Sequence, residues 1–257
     1  MKNREVIYYK DELNEEFSTA VITPRKIDEK YKYEHDPFWE VCSYLIQNVF
    51  SMPIKVGYEK IKFKLKYIGK EKLKQCKKEG YFIYANHTQA FADTFITSVG
   101  NYPKRNFLIV NPANVSIKGA GHLIEMLGAI PTPGSKTAMK NFLKIIEKRI
   151  KNKNSVTIYP EAHIWPYYTK IRNFKDVSFK YPVELQAPSF CMTNTYQKYG
   201  KNKEKIKIVT YIDGPFYSNK ELSKKEAQKE LRDRIYRQMV ERSKNSDVEY
   251  IKYIKKE

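Results

Sequence analysis

Cysteine is scarce in this 257-residue chain: Cys42, Cys76 and Cys191 stand far apart and are odd in number. That makes neither a disulfide framework nor a paired metal-ligand knuckle, so a reducing cytosol and no metal are expected. Long apolar runs are missing as well. The uncharged stretch from Val41 to Ile54 is shorter than the about 20 residues that cross hydrocarbon, and no transmembrane span is expected. Met1 to Phe17 mixes Lys, Arg, Asp and Glu with apolar residues and lacks the apolar core of a signal peptide, so export by that route is not expected. Gly119-Ala120-Gly121 has neither a third glycine nor a Lys-Ser/Thr ending, and no serine sits in a Gly-x-Ser-x-Gly frame. A phosphate-cradling loop and a nucleophile elbow are therefore excluded. Acidic residues are outnumbered, with 29 Asp+Glu against 48 Lys+Arg and a formal charge of +19.

What is there makes a folded protein. At 41% hydrophobic residues, with 13 Phe, 21 Tyr and 2 Trp, the chain has the apolar surface that a disordered one lacks. The positive field is suited to gathering anionic surfaces, either nucleic acid or phospholipid headgroups.

Residues 1–36 are charged and Tyr-rich without a period and are expected to form an extended or loosely packed arm. Asp36-Pro37 is a helix start. Phe38, Val41, Cys42, Leu45, Val49 and Met52 then recur at helical spacing opposite a polar strip of Glu40, Ser43, Gln47 and Ser51, and Pro53 is expected to end the helix. Such a helix either packs into the core or lies in a membrane interface, a depth that suits Trp39 and Tyr44, with Lys55 and Lys60 just beyond. From Lys60, alternation of Ile61, Phe63, Leu65 and Tyr67 with Lys62, Lys64 and Lys66 predicts a strand with a basic outer face. Apolar runs at Tyr81 to Tyr84, Phe107 to Val110, Val156 to Tyr159, Phe190 to Met192 and Ile206 to Ile212 alternate with helix-like stretches near 91–99, 119–127 and 136–151. That alternation predicts an α/β fold with a mostly parallel sheet flanked by helices. Ser223 and Glu226 form a capping box ahead of a charged last helix striped by Leu231, Ile235 and Met239. The expected division is an arm with its amphipathic helix over 1–57 and an α/β domain over 58–257.

Of four histidines, His35 and His122 have no acidic partner in a recognisable pattern, and His163 is too close in sequence to Glu161 to share a helix face with it. His87 differs. It follows an apolar run and precedes a helix, at the strand edge where open α/β sheets bind ligands. Asp93 is near enough to hold its imidazole in the proton-accepting tautomer, although a capping or core histidine fits the same spacing. Val156 to Glu161 is a second buried strand ending in Pro-Glu, followed by Lys170, Arg172 and Lys175, a place suited to an anion.

In order, Asn86-His87 with Asp93, the Gly128-Ala129-Ile130 turn, the strand ending in Pro160-Glu161, and Ala187-Pro188-Ser189-Phe190 resemble the motifs of the 1-acylglycerol-3-phosphate acyltransferase family over roughly residues 80–195. The resemblance implies an acyltransferase of the cytoplasmic side of the cell membrane, with a peripheral attachment. His87 would be the general base on a glycerol hydroxyl and Asp93 its orienting partner. An acyl-CoA or acyl-carrier-protein thioester would be the co-substrate, a lysophospholipid, in the first place 1-acylglycerol-3-phosphate, the acceptor, and no metal or other cofactor is required. Glu161 would lie at the acceptor site. Three departures bear on substrate. His87 and Asp93 are separated by five residues where the family usually has four. The arginine of the second motif is replaced near Pro133 and Gly134, leaving Lys136 as the nearest cation. Ala162-His163-Ile164 stands for Gly-Thr-Arg, so that Lys170, Arg172 or Lys175 would take the basic role. The competing classes are a catalytically inactive lipid-binding relative and a basic nucleic-acid-binding protein; no helix-turn-helix, zinc-finger or aromatic RNA-binding signature supports the latter.

Overall fold

The computed structural model describes residues 5–17, 23–200 and 205–256. In chain order the elements are β1 (Glu5–Tyr9), α1 (Pro37–Leu45), α2 (Ser51–Phe63), β2 (Lys66–Ile68), β3 (Tyr81–Ala85), α3 (Ala92–Asn101), β4 (Asn106–Val110) and α4 (Gly121–Met126). They continue as β5 (Ala129–Pro131), α5 (Lys136–Lys151), β6 (Ser155–Ile158), α6 (Lys180–Leu185), β7 (Ser189–Tyr199), β8 (Lys205–Phe216), α7 (Lys224–Ser243) and β9 (Ile251–Lys255). Seven strands form one sheet in the order β2-β8-β7-β3-β6-β4-β5, and β1 pairs separately with β9.

The main sheet is mostly parallel, as the alternation of strand and helix predicts. β7, β3, β6, β4 and β5 share one direction, while β8 runs antiparallel to β7 and β2 follows β8. Every residue of β3 and β6 is buried, which is why both read as unbroken strands rather than as alternating ones. Phe142, Ile145 and Ile146 of α5 and Leu231, Ile235 and Met239 of α7 cover one face. Ala92 and Ile96 of α3 belong to the packing on the other side. The capping box of Ser223 and Glu226 starts α7 as expected. This layering brings the C-terminal ends of β3, β4, β5 and β6 to one edge, and that edge carries the site.

Three local expectations are corrected. Residues 1–36 are not a loose arm throughout, because Ile27 and Tyr33 are buried in the main core and β1 is hydrogen-bonded to β9. Pro53 does not end the first helix. Residues Ile46–Phe50 form a π-helical turn joining α1 to α2, and Pro53 falls in the first turn of α2, directly after that change of hydrogen-bond register. The predicted strand from Lys60 is helix as far as Phe63, because Met52, Lys55, Glu59 and Phe63 recur at helical spacing on one buried stripe; only Lys66–Ile68 remains strand. The helical run thus passes through residues 57 and 58 without a break.

Its orientation overturns the core-packing alternative. The polar strip faces inward: Ser43 donates to the Met126 carbonyl at 2.7 Å, Asn48 to the Pro103 carbonyl at 3.0 Å, and Gln47 to the Asn106 carbonyl. Glu40 pairs with Arg105 at 2.9 Å and Arg149 at 2.6 Å. Burial would raise the Glu40 carboxyl, yet hydrogen bonds and charge from these two guanidiniums hold it below the usual carboxylate range. The apolar side faces outward, with Phe38 78% and Phe50 66% exposed, Ile54 at 70% and Ile61 at 80%. A helix docked by its polar residues leaves most of its greasy side uncovered by the described residues, Met52 excepted.

Candidate active site

β3 ends at Ala85, and the next residue is tied to β7 by a reciprocal pair of bonds. Asn86 donates its side-chain amide to the Asn194 carbonyl at 3.1 Å and accepts from the Asn194 N–H at 2.8 Å. His87 follows. Its backbone N–H donates to Glu161 at 2.9 Å. The chain then turns so that the N–H groups of Thr88 and Gln89 both donate to Asp93 Oδ2 at 2.9 Å. Asp93 stands in the first turn of α3, where free helix N–H groups and the helix dipole favour a carboxylate. The turn absorbs the extra residue, and His87 Nδ1 lies 2.8 Å from Asp93 Oδ2.

The other carboxylate oxygen, Oδ1, accepts from the Asn194 side chain at 3.2 Å, so that four groups hold Asp93. The carboxyl is wholly buried, and burial pushes it above its ordinary range against the pull of the hydrogen bonds from His87, Gln89 and Thr88. With Nδ1–H donating to this carboxylate, the free imidazole nitrogen Nε2 is an acceptor. The ring stacks on Tyr159 at 4.4 Å, and the Tyr159 hydroxyl donates to the Asp93 carbonyl at 2.6 Å. His87 keeps 17% of its side chain exposed while Asp93 keeps none. The arrangement can take a proton from a hydroxyl delivered at the sheet edge.

The candidate substrate residues fall in different places. Glu161 faces inward, accepting from the backbones of His87 and Arg172, each at 2.9 Å. Arg172 is 1% exposed; it pairs with Glu161 at 3.4 Å and donates to the His163 carbonyl. Burial raises the Glu161 carboxyl, and the Arg172 charge with the two backbone bonds opposes that rise. Lys175 lines a groove of about 330 Å³ beyond the ends of β4, β5 and β6, together with Thr132, Met139, Pro160, Ser178 and Tyr181. The groove shares Tyr159 with the His87 stack. Lys136, the first residue of α5, and Lys170 are exposed and do not line it. Among the described residues no cluster of His, Cys, Asp or Glu could hold a metal ion.

Sequence reasoning missed Asn194 and Tyr159. Asn194 lies in β7, far along the chain, and only strand pairing brings it to Asp93. Tyr159 read as one more apolar strand residue, although its place directly before Pro160-Glu161 was a usable signal.

A family model described as Acyltransferase matches residues 64–193. In fold the chain is similar to the crystal structure of the 1-acyl-sn-glycerophosphate acyltransferase PlsC from Thermotoga maritima, with a TM-score of 0.54 and 18% sequence identity over 82% of this chain and 89% of that one. No curated protein matches the chain.

Proposed function

Since the chain belongs to the acyltransferase family, we propose that it moves a fatty acyl group from an acyl-CoA or acyl-carrier-protein thioester to a hydroxyl of a lysophospholipid, 1-acylglycerol-3-phosphate, giving phosphatidic acid. The observation that carries this reading is the His87 to Asp93 bond at the sheet edge, 2.8 Å long, with the free imidazole nitrogen left to accept. His87 takes the hydroxyl proton as the oxygen bonds to the thioester carbonyl carbon. The C–S bond breaks, and the imidazolium returns the proton to the leaving thiolate. Asp93 fixes the tautomer and stabilises the transient positive charge. Glu161 and Arg172 act beneath His87 rather than on the acceptor. The test incubates purified protein with vesicles, a labelled acyl thioester of each kind and a panel of lysophospholipids, and resolves the products. Transfer to 1-acylglycerol-3-phosphate is expected; no transfer to any acceptor from either donor overturns the reading.

Lys175 supplies the cation for the acceptor phosphate, with the hydroxyls of Thr132 and Ser178 in the same groove wall. Lys175→Met is expected to raise KM for the lysolipid about tenfold while kcat changes little, the pattern of lost uniform binding. Steady-state kinetics with a fixed acyl donor checks it, and an unchanged KM removes Lys175 from this role.

The enzyme works as a peripheral protein on the cytoplasmic side of the cell membrane. Two features support this: the outward apolar side of α1 and α2, with the exposed Lys60, Lys62 and Lys64 at its end, and the +19 charge, which suits an anionic leaflet. No helix among the described residues is long and apolar enough to cross a membrane. The apolar side reaches toward the site, because Tyr58 of α2 packs edge-on against Phe91, which is 61% exposed on the turn after His87. Serine at Phe50, Ile54 and Ile61 together is expected to weaken binding to anionic vesicles by about a hundredfold, at about 1 kcal/mol per partly inserted side chain. Co-sedimentation at several lipid concentrations measures it, and unchanged binding shows that this side does not meet the bilayer.

A further inference from the structure

The segment from Glu161 to Arg172 has no strand or helix of its own, yet it holds the His87 turn at three points. Glu161 accepts from the His87 N–H, the Trp165 N–H donates to the His87 carbonyl at 3.1 Å, and the Tyr167 N–H donates to the Thr88 carbonyl at 3.0 Å. Ala162 at φ 64° and Tyr167 at φ 57° take the left-handed conformation that non-glycine residues adopt only when their surroundings impose it. An irregular, strained segment cannot fix a catalytic group by itself; something must fix the segment.

What fixes it is the pairing of the two ends of the chain. β1 and β9 run side by side, and their neighbourhood closes around Trp165, which is fully buried. Tyr253 stacks on its indole at 5.0 Å, and the rings of Tyr9 and Phe17 meet it edge-on at 4.7 and 5.2 Å. The indole N–H donates to the Glu15 carbonyl at 2.8 Å, the Phe17 N–H donates to the Ile164 carbonyl at 3.1 Å, and the Tyr253 hydroxyl donates to the Pro166 carbonyl at 2.8 Å. The Arg172 guanidinium lies 4.9 Å from the same indole, so Trp165 also backs the partner of Glu161.

We propose that Trp165 is a positioning residue for His87, and that the joined chain ends act as a clasp which holds the Glu161 to Arg172 segment, and through it the imidazole, in register. The proposal rests on the reading of His87 as the general base, and its test separates the two. The clasp places a cost on misalignment at a group whose geometry must hold to a fraction of an ångström.

The experiment compares full-length wild type with Tyr9→Ala/Phe17→Ala, which strips two rings from the clasp outside the main core, and with Trp165→Phe, which keeps an aromatic ring but loses the bond to Glu15. Two readouts are taken below the melting midpoint: kcat and KM with the best lysophospholipid, and hydrogen exchange of the amides of residues 86–89. The double variant is expected to lose about tenfold in kcat with little change in KM, and to exchange faster at 86–89 while β7 and β8 stay protected. Trp165→Phe is expected to fall between wild type and the double variant in both kcat and exchange at 86–89, because it keeps a ring against Tyr253 but loses the indole bond to Glu15. Wild-type kcat and wild-type exchange at 86–89 in the double variant would overturn the clasp, whatever its melting point. If the wild type transfers no acyl group, the acyltransferase reading fails and exchange alone decides: faster exchange at 86–89 supports the clasp, unchanged exchange overturns it.

Discussion

His87→Ala is expected to lower kcat for acyl transfer by about a hundredfold to ten-thousandfold while the protein remains folded and bound to vesicles. The size follows from what is removed. A positioned base takes the hydroxyl proton as the new bond forms, and without it that proton must leave to water. The survival of the fold follows from what remains. The ring stands partly exposed at the sheet edge and contacts chiefly Tyr159 and Asp93. After its loss Asp93 still accepts from Thr88, Gln89 and Asn194, so no buried carboxylate is orphaned. The backbone bonds of residue 87 to Glu161 and Trp165 do not involve the imidazole and persist. Turnover of the labelled thioester and vesicle co-sedimentation of the same preparation check both halves. A variant that keeps more than about a tenth of wild-type turnover would assign the general base to another group, and a variant that loses membrane binding as well would mean that the histidine is structural.

The strands and the later helices were legible because their residues obey simple patterns. Tyr81 to Tyr84 and Val156 to Tyr159 carry no charged residue and are mostly apolar, Thr157 excepted with its hydroxyl bonded to Asn106, as strands covered on both faces have to be. The last helix carries both a capping box and a buried stripe. The first helix misled because the inward-faces-apolar rule fails there: Ser43, Gln47 and Glu40 are anchored on Arg105, Arg149 and main-chain carbonyls of the domain. Periodicity finds the two sides of such a helix but not which one is docked. The strand expected from Lys60 failed for a related reason. Four alternating residues satisfy a strand pattern, but Phe63 also continues the Met52, Lys55, Glu59 stripe, and helix continuity prevailed. At the site, His87 was legible from its place after an apolar strand and Asp93 from its spacing to it, whereas Glu161, expected at the acceptor, faces inward to the backbones of His87 and Arg172. Asn194 and the indole of Trp165 were not legible, since the first depends on strand pairing across the sheet and the second on the meeting of the two ends of the chain.

Arg172→Met is expected to cost about 3–5 kcal/mol of stability, because it leaves Glu161 buried beneath the active site without its cation. Both side chains of the pair are 1% exposed, and among the described residues Glu161 then keeps the backbone N–H groups of His87 and residue 172 as its hydrogen-bond partners. The carboxyl already lies above its ordinary range through burial, and removing the opposing charge raises it further. The folded state then binds a proton that the unfolded state releases above its ordinary carboxylate value of about 4.3. Stability therefore falls as pH rises from there through the raised folded value, and the deficit relative to wild type is smaller at pH 5 than at pH 8, two conditions chosen for the test. Adding Glu161→Gln removes the charge and should return much of the stability and flatten the pH dependence, since an amide can still accept from the His87 N–H. Denaturant unfolding of the three proteins at both pH values provides the measurement. Equal deficits at the two values would mean that Arg172 holds its surroundings by packing on Trp165 and by its bond to the His163 carbonyl, and not by charge.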